Sequence, residues 1–130
     1  MKIALAGKGG VGKTTISAAL ISLFAEKGHR VLAVDADPDT NLGTTLGLPP
    51  EALDRQPPII EMKDLVEERT GSGAFLVLNP DVDDILSRYS LTFGNVSLVR
   101  MGGVKQAGTQ CYCRENAFLK ALVGSLVLGR

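Results

Sequence analysis

The stretch Gly7-Lys8-Gly9-Gly10-Val11-Gly12-Lys13-Thr14 decides how this chain is read. It fits the spacing G-x-x-x-x-G-K-[ST], in which glycines let the backbone wrap closely around phosphate oxygens while the lysine and hydroxyl reach the same anion. The flanks supply the context that the motif requires. Ile3-Ala4-Leu5-Ala6 ahead of it is an apolar run typical of parallel strands covered on both faces, so residues 2–6 are read as a strand. Behind it, residues 13–27 repeat Ile16, Leu20, Leu23 and Phe24 at helical spacing and stop at Gly28. Val31-Leu32-Ala33-Val34, within residues 30–34, is a second buried strand. Together these segments make a strand-loop-helix-strand unit with a right-handed crossover.

In such a unit the N–H groups of Gly9, Gly10, Val11, Gly12, Lys13, Thr14 and Thr15 point inward as an anion nest at a helix N-terminus. Lys13 is expected to set its charge against the β- and γ-phosphates of a nucleoside triphosphate, read as ATP. Thr14 is expected to ligate Mg2+, and Thr15 to lie near the α-phosphate. Asp35 and Asp37, in Val34-Asp35-Ala36-Asp37-Pro38-Asp39, follow the second strand at its carboxyl end, where open α/β sheets bind ligands. The location favours function; the alternative is that one of them caps the turn before Pro38, and Asp39 and Asn41 are read as turn formers.

Residues 35–58 read as a loop with short helical pieces, interrupted by Pro38, Pro49, Pro50, Pro57 and Pro58. Beyond them come a helix over 61–69, a short strand over 75–78 closed by Asn79-Pro80, and a helix over 81–89. A buried strand over 96–101 and an amphipathic helix over 115–128 follow. The fold class is α/β, a mostly parallel sheet with helices on both faces. At 130 residues one domain is expected. Lys plus Arg and Asp plus Glu are equal at 14 each, so no net field draws nucleic acid or anionic lipid, and neither is an expected partner. No apolar stretch approaches the roughly 20 residues that span a bilayer, and the opening run is too short for a signal peptide, so the cytoplasm is the expected compartment. His29, in the turn Gly28-His29-Arg30, reads as a solvent-exposed histidine on the side away from the glycine-rich loop.

Gln110-Cys111-Tyr112-Cys113 places two thiols one residue apart, where they are poorly placed to bridge each other. In an extended segment both lie on one face, and one metal ion can contact both. Tetrahedral zinc or square-planar nickel takes four ligands, so a two-fold dimer centred on this segment would complete a four-sulfur site. On spacing alone the pair is also read as two small buried hydrophobes.

The second lysine inside the loop, in Lys8-Gly9-Gly10-Val11-Gly12-Lys13-Thr14-Thr15, resembles the deviant Walker A motif of the MinD/ParA/nitrogenase-iron-protein class of P-loop ATPases. The resemblance implies that Lys8 reaches across a dimer to the partner's nucleotide, that Asp37 orients the attacking water and that Asp35 sits in the outer magnesium shell. Lys63-Asp64, Asn79-Pro80, Arg100-Met101-Gly102 and the segment from Gln110 to Ala121 look like the carbon monoxide dehydrogenase maturation ATPases, the CooC family. That resemblance runs through essentially the whole chain. It implies a homodimer formed through the Cys-x-Cys segment and the P-loop face, with Ni2+ or Zn2+ on Cys111 and Cys113. It also implies nickel insertion into carbon monoxide dehydrogenase as the client. Two other readings stand beside it: a partitioning or positioning ATPase, and a non-catalytic fragment that only binds nucleotide. Relatives of this class carry a Walker B carboxylate after a further apolar strand, and none follows Val34. Residues 1–130 are therefore expected to be the N-terminal part of a single P-loop ATPase domain, truncated before that strand, with a sheet edge and apolar helix faces exposed.

Overall fold

The computed structural model describes residues 1–103 and 113–128. Helix α1 (Lys13–Glu26) leads into strand β1 (Val31–Asp35), followed by two short helices, α2 (Leu42–Thr45) and α3 (Pro50–Arg55). A single 3-10 turn (Ile59–Glu61) precedes α4 (Lys63–Thr70) and α5 (Ile85–Arg88). The hairpin β2 (Ser90–Phe93) and β3 (Val96–Arg100) comes next, and α6 (Cys113–Leu128) follows. The strands form one sheet in the order β1-β3-β2. β1 lies parallel to β3, with Val31 opposite Val96 and Asp35 opposite Arg100, and β2 pairs antiparallel to β3.

Alternation along β3 builds two cores. Val96 and Leu98 point into a cluster with Ala18 and Ile21 of α1, Ala33 of β1 and Leu42 of α2. Val99 and the following Met101 point the other way, into a larger cluster with Ile59, Leu65, Val66, Ile85, Phe118 and Leu122. A strand reverses its side chains at each residue, so this period places α1 and α2 on one face and α4, α5 and α6 on the other. Helices cover both faces, as the sequence led us to expect. Phe118 and Leu122 are fully buried, each stabilising the second core by about 1.5–3 kcal/mol.

Helix α1 begins at the residue read from sequence and ends where Gly28, at φ 83°, turns the chain. His29 N–H bonds back to the Phe24 carbonyl at 3.0 Å, and the exposed His29 ring meets Phe24 edge-on. The buried face of the helix, however, is Ala18 and Ile21 with Ala25 packed beside them, while Ile16 (51% exposed) and Leu23 (45%) face outward. The helix carries two apolar stripes, and spacing alone favours the one with the larger residues. The stripe of smaller residues is the one that packs with Ala33, Val96 and Leu98 of the sheet.

Two expected strands do not form. Residues 2–6 take part in no ladder among the described residues, and Ile3 is 55% exposed. An apolar run announces a buried strand only where it pairs with a neighbour; β1 is the edge strand of the sheet, paired with β3 alone among the described residues, and residues 2–6 do not join its outer side. Residues 75–78 are irregular as well. Val77 N–H bonds to the Thr70 carbonyl at the end of α4, and the Arg114 guanidinium takes the carbonyls of Gly71, Gly73 and Phe75. The Val77 N–H and the Phe75 carbonyl are thus committed to helix ends rather than to a sheet. The helix expected over 81–89 contracts to α5, because Asp81 Oδ1 takes the Asp83 N–H and the Val82 carbonyl takes the Ile85 N–H, which leaves residues 81–84 as a turn; β2 then follows at Ser90–Phe93.

That unforeseen strand had a signal in Gly94-Asn95. A two-residue loop with Gly94 at φ 56° is the tight hairpin connection whose twist suits antiparallel strands. Asn95 then does a second job, since its side-chain amide donates to the carbonyls of Ala25 and His29 and so closes the C-terminal end of α1. No helix among the described residues is long and apolar enough to cross a membrane. Replacing Asn95 by Ala leaves those carbonyls short of a donor and is expected to cost about 1–2 kcal/mol, read from the shift of a urea unfolding curve. A variant as stable as the parent would show that the amide contributes nothing.

Candidate functional site

The glycine-rich loop turns into α1 through two left-handed residues, Gly10 at φ 78° and Gly12 at φ 90°, the latter being the N-cap. A Cβ on either would meet no atom within 4 Å, so the left-handed backbone, and not crowding, is what calls for glycine there. Ile16 N–H makes the first bond of the helix, to the Gly12 carbonyl at 3.0 Å. The N–H groups of Lys13, Thr14 and Thr15 are therefore left over by the helix, no side chain caps them, and no acidic residue stands in the first turn. The positive end of the helix dipole is uncompensated beside Lys8 and Lys13. The Lys13 ammonium folds back onto the Lys8 carbonyl at 2.8 Å, closing the loop on itself. Lys8, Gly9, Val11 and Thr15 are exposed, and Lys13 and Thr14 are half-buried.

Helix and strand lengths bring Asp35 to the same end of the unit. Fourteen helical residues rise about 21 Å and five strand residues about 17 Å, so α1 and β1, joined by a short turn, begin and end nearly level. Asp35 and Arg100, opposite one another in the parallel pair, continue the register of Ala33 and Leu98 and so lie on the face that α1 covers.

The two aspartates have different surroundings. Asp35 is buried, with Oδ2 accepting the Leu42 N–H at 3.0 Å and Oδ1 the Asp37 N–H at 3.3 Å. Its carbonyl also accepts the N–H groups of Met101 and Gly102, at 2.8 and 3.2 Å. Burial raises its carboxyl pKa above the ordinary 3.8, the bonds from Leu42 and Asp37 and the charge of Arg100 oppose that rise, and the charge of Asp37 adds to it. Asp37 is half-buried, and its Oδ1 holds the Asp39 N–H at 3.0 Å, while Oδ2 makes no hydrogen bond among the described residues. Of the two sequence readings, turn capping thus describes what Asp35 does here, and Asp37 keeps an oxygen to offer.

Arg100 is the residue that sequence reasoning left without a role. Its Nη1 donates to the carbonyls of Leu53 and Gln56 at 2.8 and 2.9 Å, and its Nη2 to the Thr40 hydroxyl at 3.0 Å. Its Nε is buried without a partner among the described residues. The available signal was a charged residue closing an otherwise apolar strand.

Of the cysteine pair, Cys111 lies outside the described residues, and Cys113 opens α6 with its sulfur disulfide-bonded. The sequence expectation that the two cysteines are poorly placed to bridge each other involves Cys111 and so lies outside the described residues. A disulfide sulfur is not a thiolate donor, so in this form Cys113 does not fit nickel or zinc. Among the described residues no group of three or more His, Cys, Asp or Glu is arranged to hold a metal ion. The loop and first turn of α1, by contrast, have the donors and charge that a polyphosphate with Mg2+ requires.

Residues 2–111 match the family model described as the CobQ/CobB/MinD/ParA nucleotide binding domain. The carbon monoxide dehydrogenase accessory protein CooC of Rhodospirillum rubrum is 42% identical over 134 residues, covering 100% of this chain and 51% of that protein. An uncharacterized ATP-binding protein of Methanocaldococcus jannaschii is 38% identical over 135 residues, with the same coverage of 100% and 51%. The antiactivator FleN of Pseudomonas aeruginosa is 34% identical over 103 residues, 78% of this chain and 33% of its own. The chain spans about half the length of the first two relatives. It belongs to the CobQ/CobB/MinD/ParA nucleotide-binding family, and its resemblance to CooC runs along its full length.

Because its pKa is raised in the fold, Asp35 contributes stability that is fully present below the ordinary 3.8 and is lost as pH rises through the raised value. Carboxyl carbon shifts followed against pH are expected to give Asp35 a midpoint above 3.8. A midpoint at or below that value would mean that the carboxylate is less shielded from water than its burial implies.

Proposed function

We propose that this member of the CobQ/CobB/MinD/ParA family binds and hydrolyses ATP with Mg2+, pairs with a second copy of itself, and carries nickel or zinc on Cys111 and Cys113 to carbon monoxide dehydrogenase. The observation that carries the nucleotide part is the glycine-rich loop at the start of α1. Its first-turn N–H groups are unspent, and it has a lysine on either side of its glycines. Bound there, ATP with Mg2+ supplies a transferable phosphoryl group and a cation to balance its charge. The N–H groups from Gly9 to Thr15 would cradle the phosphates, and the Thr14 hydroxyl would take a magnesium position. Lys13 would exchange the Lys8 carbonyl for phosphate oxygens, a swap that opens the loop as the anion enters. Asp37 would use its spare Oδ2 to hold a water molecule, and Lys8 would reach the nucleotide of the second copy. Asp35 is less free, because a share in the outer magnesium shell obliges it to give up the N–H of Leu42 or of Asp37.

Support for the metal and the client comes from the name of the Rhodospirillum rubrum relative and from the Cys-x-Cys spacing. Nickel or zinc is cargo in this reading, and the protein takes it up in the reduced state. Two thiolates from each copy would complete a four-sulfur set.

Lys13→Ala is expected to weaken ATP binding by about tenfold or more in titration calorimetry with Mg2+, the loss of one charge-assisted contact. Unchanged affinity would remove Lys13 from the phosphate site. Equilibrium dialysis of the chain under reducing conditions is expected to find one nickel or zinc ion per two chains, and none after oxidation or in Cys113→Ser. Equal uptake by the oxidised chain would rule the cysteines out.

A further inference from the structure

We propose that Arg100 is a positioning residue of the nucleotide site, acting as the clamp that holds the Asp37 turn in place against the carboxyl end of the sheet. The inference rests on the reading that Asp37 holds the attacking water. Arg100 ends β3 directly opposite Asp35, on the face covered by α1. From there it stretches over the segment that leaves β1. One guanidinium nitrogen takes the two carbonyls that close α3, Leu53 and Gln56, and the other takes the hydroxyl of Thr40, three residues beyond Asp37.

The turn is thereby fastened at both ends. Asp35 holds the amides of Asp37 and Leu42, and Arg100 holds Thr40 between them. A carboxylate that must orient water depends on the backbone that carries it, and a displacement of about 1 Å at such a group costs up to about a hundredfold in rate. Arginine suits the task for a geometric reason. Its planar fork can serve several fixed acceptors at once, whereas a lysine ammonium is a single flexible point of charge. The carbonyls of Leu53 and Gln56 attract such a fork to the end of α3, as the last carbonyls of a helix attract any cation. Among the described residues Arg100 makes no hydrogen bond to the loop of residues 7–15 or to α1, so its effect should fall on the reaction and not on nucleotide affinity.

The test is ATP hydrolysis by the full chain with Mg2+, with kcat and KM measured separately for the parent, Arg100→Gln, Arg100→Lys and Thr40→Val. Arg100→Gln is expected to lower kcat about tenfold with KM for ATP within about twofold, the pattern of a lost transition-state contact. Arg100→Lys should fall between it and the parent. Thr40→Val, which removes one acceptor and leaves the hold on α3, should lower kcat in the same direction by a smaller factor, and it serves if Arg100→Gln fails to fold. An unchanged kcat in Thr40→Val and in the folded Arg100 variants overturns the inference, as does a rise in KM that accounts for the whole loss. A parent that binds ATP without turning it over also overturns it, while nucleotide binding stands. A parent that binds no nucleotide overturns the proposed function itself.

Discussion

The carboxyl end of β1 is where this structure is tied together. Through one residue, Asp35, the sheet holds four backbone N–H groups: Asp37 and Leu42 on the side chain, Met101 and Gly102 on the carbonyl. The first pair fixes the segment leaving β1, and the second fixes the segment leaving β3. Both exits therefore share one anchor, and the charge of that anchor is shielded from water by the same packing that places α1 and α2 on the sheet. A buried carboxylate is costly unless its oxygens are engaged, and here both are. The loop at the start of α1 has the opposite character, with exposed glycines and unspent amides. The fold joins a rigid, satisfied corner to an open, unsatisfied one, a combination suited to receiving an anion without rebuilding the core.

What could be read from the sequence follows from which interactions are local. The glycine-rich loop, the start of α1 at Lys13, its stop at Gly28 and the β1 strand were all legible, because φ-permissive glycines and a short apolar run act within a few residues. The α6 helix and the buried β3 strand were legible for the same reason. The failed strand expectations are questions of pairing. Residues 2–6 and 75–78 have strand composition but no ladder, and β2 has modest composition yet is paired because Gly94-Asn95 folds it onto β3. The buried stripe of α1 was misjudged because Ile16, Leu20, Leu23 and Phe24 outweigh Ala18 and Ile21 in any count of apolar residues, while the face that meets the sheet is set by packing between distant elements.

The candidate site divides in the same way. Lys8, Lys13, Thr14 and the aspartates are announced by a motif, since their spacing is itself the chemistry. Arg100 is invisible to that reading. Nothing in its neighbourhood along the chain hints that it reaches Thr40, Leu53 and Gln56, between 44 and 60 residues away. The distinction between Asp35 and Asp37 was likewise beyond sequence, because it depends on which amides happen to face each carboxylate once α2 has folded.

The manner in which α1 is secured has a mechanical consequence. Its rear is riveted to the hairpin by the Asn95 amide, and its middle is bedded on the sheet by Ala18 and Ile21. Its front is closed by little beyond a lysine resting on a carbonyl of its own loop. The least fastened turn of the helix is thus the one where an incoming anion would be wrapped, and the fastened end lies away from it, at the hairpin.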